Sequence, residues 1–296
     1  MKRIILLLLS VAILVLSFCG CNATPKKVNI AATTRPVWEF TTRLCRETDL
    51  SVELLIAEPV SCLHDYSLSV RQAKLAEAAD IIVISGAGLE ESFKPLFSTK
   101  NIIDCSEDVT LLSCPDTDEH EHTNEHEHHT HDVDAHIWLS PANAKSMVNS
   151  IYQGLILHYP QHKHIFERNF QHLTAELDAL LQYGHLALSD LSTYDLITFH
   201  DGFSYFAEEF GMNIVKAIEE ESGSEASAAE LKELIHLVDE HKLPAIFTEA
   251  NGSVSAAGII AAETGVVTYA LDMAMSERSY FEAMYHNIDT IKEAMG

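Results

Sequence analysis

From Val28 onward, short apolar runs alternate with stretches in which apolar residues recur every three or four positions. Val28–Ala32, Val52–Ala57, Ile81–Ser85 and Ile102–Asp104 read as buried strands, compact aliphatic runs bounded by polar or turn residues. Between them Val37–Arg46, Val70–Ala79 and Leu89–Leu96 carry helical spacing. Strands alternating with helices predict an α/β unit built on a parallel sheet.

After His136 the pattern changes. Pro141 suits the first turn of a helix, and Met147, Val148, Ile151 and Leu155 keep the helical period. Pro160 interrupts it; Phe166, Phe170, Leu173, Leu177, Leu180 and Leu181 resume it, predicting one long helix over about 162–188. The first pattern then returns. Strands are expected at Leu196–Phe199, Ile214–Ile218, Ala245–Thr248 and Val266–Leu271, and helices at Gly202–Phe210, Ala226–His241, Ser255–Glu263 and Ser279–Met295. The chain divides accordingly into an α/β lobe over 28–140, connecting helices over 141–190 and a second α/β lobe over 191–296. Two such lobes leave a cleft, and ligands of parallel sheets lie beyond the carboxyl ends of the strands.

The first residues are an address. Lys2 and Arg3 precede an apolar run from Ile4 to Phe18, too short for a comfortable membrane span, so residues 1–20 read as a signal peptide. Phe18-Cys19-Gly20-Cys21 resembles a bacterial lipobox, with Phe18 where such boxes carry Leu. That makes Cys21 the lipidated first residue, residues 21–27 an anchor linker, and the mature protein an exported, membrane-anchored one. Outside the cytoplasm Cys45, Cys62, Cys105 and Cys114 permit up to two disulfides, a Cys105–Cys114 bridge being suggested by proximity.

Charge narrows the function. With 19 Lys+Arg against 44 Asp+Glu the net charge is -25, which disfavours nucleic acid and anionic lipid surfaces as partners. The 17 histidines carry the positive signal. His120, His122, His126, His128, His129 and His131 crowd an acidic stretch, 118–133, that lacks apolar residues before Val133; it predicts an exposed loop for metal capture. His64 and His200 follow expected strands, His136 precedes the connecting helices, and Asp272 ends the last strand. Two come from each half. Three imidazoles and one carboxylate complete a tetrahedral Zn²⁺ set and leave no position open for a reactive water, so the site holds metal rather than using it. Mn²⁺ is the alternative, accepted if Asp272 binds through both oxygens, although imidazoles favour zinc. Glu249, also at a strand end, is a candidate to orient a histidine or to replace Asp272. No HExxH is present, and no paired base with an open ligand position can be named for a metallohydrolase.

At these positions the chain resembles the metal-binding subunits of bacterial ABC importers, the family of zinc-uptake and manganese-uptake lipoproteins. His64-Asp65-Tyr66 resembles that family's first-ligand loop and Asp134-Ala135-His136-Ile137-Trp138-Leu139 its Asp-Pro-His-Ile-Trp-Leu motif. Phe199-His200-Asp201-Gly202-Phe203-Ser204-Tyr205-Phe206 resembles its third-ligand loop, and Leu271-Asp272 with Tyr280-Phe281 and Asn287-Ile288 its C-terminal signature. Ala135 and Ser140 depart from the family's Pro and Asp. The resemblance covers about residue 28 to the end. It implies two lobes joined by a rigid helix, with metal bound between them and delivered by a monomer to permease and ATPase subunits. The acidic His-rich loop, and His200 where manganese-type members carry Glu, favour zinc. A manganese or iron(II) binder, a metal-binding adhesin or store, and a metallohydrolase are the competing classes.

Overall fold

The computed structural model describes residues 27–58, 63, 66–113, 133–217, 226–249 and 255–296. Several expectations lie outside them: the signal peptide and Cys21, the ligand candidate His64, Cys62 and Cys114, and the six loop histidines from His120 to His131.

The expected strands form two four-stranded sheets. β1 (Ile30–Ala32), β2 (Val52–Leu54), β3 (Ile81–Ile84) and β4 (Asn101–Asp104) pair in the order β2-β1-β3-β4, every neighbour parallel. β5 (Asp195–Thr198), β6 (Asn213–Ala217), β7 (Ala245–Glu249) and β8 (Val267–Leu271) repeat the same order, again wholly parallel. Helices α1 (Arg35–Leu44) and α2 (Val70–Ala78) make crossovers in the first half, and α5 (Ser204–Phe210), α6 (Ala228–His241) and α7 (Ser255–Thr264) make them in the second. Between the halves run α3 (Pro141–His158) and α4 (Lys163–Ala187), and α8 (Tyr280–Met295) closes the chain. The 25 residues of α4 span about 37 Å at the α-helical rise. Ser140 caps α3 by accepting the Asn143 N–H, and Pro141 fills the first helical position, where a missing N–H costs nothing.

One expected helix is absent. Leu89–Leu96 forms turns, and only Lys94–Phe97 closes as a 3₁₀ helix. Gly86, Ala87 and Gly88 all have positive φ, and the Glu90 carboxylate accepts the N–H groups of Ser85 at 2.8 Å and Gly86 at 3.0 Å. That side chain ties down the backbone just ahead of the segment, and Pro95 disfavours α geometry at Lys94. Leu89 and Phe93 are still buried, with Phe97 just beyond, while Leu96 is exposed, so the spacing marked part of the buried face but the wrong backbone geometry.

The two halves share a core. One continuous cluster of buried residues runs from Ile30 through the connecting helices to Met295. A second lies wholly in the C-terminal half, where Ile197 and Ile246 of the sheet meet Leu234 and Val238 of α6 and Ile260 of α7. Along β7, Ala245 and Phe247 face the shared core and Ile246 the second cluster, the two-residue alternation of a strand covered on both faces. Cys45 and Cys105 are buried free thiols, so the suggested bridge has one half, Cys105, unpaired. Burial pushes the Cys45 thiol up to about 12. Among the described residues no helix is long and apolar enough to cross a membrane.

Candidate metal centre

His136 sits in the turn that leads into α3, and its ring is fixed from both sides. Asp134, two residues earlier, accepts both the His136 backbone N–H and the ring Nδ1–H on its Oδ1, each at 2.8 Å. Burial alone raises the Asp134 carboxyl, but the hydrogen bonds and charge of His136 outweigh it and hold the group below the ordinary carboxylate range. With Nδ1–H donating to Asp134, the neutral form of the ring keeps its lone pair on Nε2. The Asp134 carbonyl accepts from the Tyr205 hydroxyl at 2.9 Å, so α5 of the second half braces this turn of the first.

His200 follows β5, and its Nε2 lies 3.3 Å from Nε2 of His136, the rings crossing at 87°. Both histidines are buried, each 4% exposed. Gly202 makes this approach possible. A Cβ there would stand 2.5 Å from the Met273 methyl, 2.7 Å from His200 Cδ2 and 3.1 Å from His136 Cγ, so any larger residue would push into the pair.

Asp272 leaves β8, and α8 holds its backbone from both sides: Asn287 accepts its N–H at 2.8 Å and donates to its carbonyl at 2.7 Å. Its carboxylate is engaged within its own loop. Oδ1 accepts the Ala274 N–H at 2.8 Å, and Oδ2 accepts the Ser276 hydroxyl at 2.7 Å, with Arg278 Nη1 at 3.5 Å. Glu249 ends β7 beside Leu271 and is buried. A strap crosses between the halves at this level: the Trp138 indole donates to the Met273 carbonyl at 2.7 Å, and the Tyr280 hydroxyl donates to the Trp138 carbonyl at 2.8 Å.

The structure thus brings His136 and His200 together across the two halves and places Asp272 and Glu249 at neighbouring strand ends. Among the described residues no three His, Cys, Asp or Glu side chains gather closely enough to hold a metal. The pair itself has metal-binding geometry. With metal–nitrogen bonds of about 2.0–2.1 Å at a tetrahedral angle, two ligating nitrogens stand roughly 3.3 Å apart, and that is the Nε2 separation.

Both histidines stand out in the sequence, whereas Asp134, Gly202, Ser276 and Arg278 acquire a role only in the structure. Asp134 was detectable, because an Asp two residues before a ligand histidine is placed to hydrogen-bond it and select its tautomer. The other three act through contacts that no local pattern encodes.

Comparison with known proteins places the chain in a wider group. The family described as zinc-uptake complex component A, periplasmic (ZnuA), matches residues 30–294. The zinc-binding lipoprotein AdcA of Streptococcus pneumoniae is 31% identical over 99% of this chain, which spans 61% of AdcA's length. The high-affinity zinc uptake system protein ZnuA of Bacillus subtilis is 26% identical, with 98% of this chain and 97% of that protein covered. Among solved structures, the Zn(II)-bound ZnuA-like domain of Streptococcus pneumoniae AdcA superposes with a TM-score of 0.75 at 29% identity, covering 90% of this chain and 98% of that one.

Proposed function

Because this chain belongs to the family of periplasmic zinc-uptake complex components A, we propose that it captures extracytoplasmic Zn²⁺ and delivers it to a membrane ABC permease. The observation that carries the reading is the facing Nε2 pair of His136 and His200 at 3.3 Å, with Asp134 fixing the His136 tautomer. A buried imidazole presented this way is a metal ligand already oriented, so binding spends little on ordering it. His64 and Asp272 complete a three-imidazole, one-carboxylate set around the ion, with Glu249 as the substitute carboxylate. Four protein ligands leave no open position for a reacting water, so the role is binding and transfer rather than catalysis.

Other features of the sequence fit this role. His120, His122, His126, His128, His129 and His131 lie in an acidic tract that captures zinc through weak, interchangeable sites. Cys21 carries the lipid that tethers a monomer to the outer side of the membrane, within reach of the permease and ATPase subunits. The charge of -25 concentrates divalent cations around the protein.

Competitive metal titration tests the reading. Zinc should bind the cleft tightly at one equivalent, and His200→Ala should weaken this by more than roughly a hundredfold, beyond what losing an outer-shell partner costs. Tight Mn²⁺ binding that survives excess zinc would overturn it in favour of a manganese carrier.

A further inference from the structure

The Asp272 carboxylate is 3% exposed yet is met by a cation from its own loop, and this arrangement has a consequence for loading and release. We propose that Ser276 and Arg278 form a latch that holds the Asp272 carboxylate while the site is empty, and that Zn²⁺ displaces the latch to recruit this ligand. The proposal rests on the reading of Asp272 as a zinc ligand.

A buried carboxylate left without partners is costly, so an empty site needs a stand-in for the metal's charge. The loop supplies one. Oδ2 takes the Ser276 hydroxyl at 2.7 Å and Arg278 Nη1 at 3.5 Å, and Ser276 Oγ in turn accepts the Arg278 N–H at 3.1 Å, closing a ring of contacts over residues 272–278. Oδ1 takes the N–H of Ala274, a non-glycine residue at φ 58° in the left-handed region, so the same carboxylate also holds a strained turn in place.

The latch is built to open. The Arg278 side chain is 48% exposed and meets a single oxygen at 3.5 Å, where a tight guanidinium–carboxylate fork would engage both oxygens at shorter range. Water screens such a contact and makes it cheap to break. The loop is also next to the imidazole pair, since Met273, adjacent to Asp272, has its methyl against Gly202 and its carbonyl held by Trp138. Incoming Zn²⁺ takes over the carboxylate and the guanidinium turns to solvent. When zinc leaves, Arg278 returns and the buried charge is again compensated. Affinity is thereby lower than the ligand set alone would give, and release is faster.

Zinc affinity by chelator competition, and thermal stability with and without zinc, should be measured on the full chain and on R278A, R278K, D272A and the D272A/R278A double variant. R278A is expected to bind zinc roughly two- to fivefold more tightly, the range of a screened ion pair. Its metal-free form should melt lower than wild type while its zinc-loaded form does not. R278K should restore wild-type behaviour, and R278A should change affinity less than twofold once Asp272 is absent. Unchanged or weaker zinc binding by R278A overturns the latch, as does an affinity gain that persists in the D272A background and so reports a through-space charge effect. If D272A alone binds zinc as tightly as wild type, the ligand assignment itself fails, an outcome separate from the first two.

Discussion

Asp134 and Asp272 are both buried aspartates beside the histidine pair, and they are used in opposite ways. Asp134 is spent on a neighbouring side chain: its Oδ1 holds the ring and backbone of His136, and the Tyr205 hydroxyl fixes its carbonyl. Asp272 is bound within its own loop by Ala274, Ser276 and Arg278. Under the proposed zinc site, the first half would present a ligand already set and the second one that must change partners. A site with one rigid side and one exchangeable side can recognise an ion and still release it. A site rigid on both sides would hold the ion for longer at the same ligand count.

Glu90 sharpens the contrast, because it shows what burial does to a carboxylate with no cationic partner. Its oxygens accept the Thr33 hydroxyl at 2.6 Å and the N–H groups of Ser85 and Gly86, yet burial pushes it up to about 7. Neutral donors do not overcome desolvation there. Asp134, with His136 against it, falls below its ordinary range in spite of comparable burial.

Breaking the rigid side should have the largest effect. Asp134→Asn keeps the shape but lets the amide present either an N–H or a carbonyl to His136 Nδ1, so the tautomer is no longer imposed. Zinc affinity should fall by about 10- to 100-fold, as measured by competition titration. A loss under twofold would mean that Asp134 only braces the turn, and the contrast with Asp272 would collapse.

A smaller effect isolates burial from pairing. In the folded chain Glu90 holds its proton up to about pH 7, whereas in the unfolded chain it loses it near the ordinary 4.5. Between those values the native state binds more protons than the unfolded state, so Glu90 makes stability fall as pH rises and adds no slope outside the window. Asp134 has the opposite sign: its contribution is complete above its ordinary range and is lost as pH falls. Denaturant unfolding across pH 4.5–7 should show that Glu90→Gln removes a slope of up to about 1 kcal/mol per pH unit. A slope equal to wild type would place Glu90 in the ordinary range and remove it as the unpaired reference.

Much of the architecture was legible where local pattern and packing agree. The long helix expected over about 162–188 is Lys163–Ala187, because its apolar period and its buried stripe of Phe166, Leu173, Leu177 and Leu180 are the same residues. Strands read as aliphatic runs because both faces of a parallel sheet are covered. Leu89–Leu96 misled for a physical reason: its backbone is set by the positive φ of Gly86, Ala87 and Gly88 and by the Glu90 side chain, which a hydrophobic period does not register. His136 and His200 stood out in the sequence because candidates at element ends come jointly from both halves, not because either is distinctive alone. The engagement of Asp272 by Arg278 did not, since two residues six apart in a loop meet only through the turn at Ala274.

The central claim is that one zinc ion binds between Nε2 of His136 and Nε2 of His200. Anomalous diffraction at the zinc edge, from crystals of the zinc-loaded chain, tests it most directly. The account predicts one strong peak in the cleft, about 2.0–2.1 Å from both Nε2 atoms. A peak bonded to Nδ1 of either ring, or one touching only a single member of the pair, would contradict it.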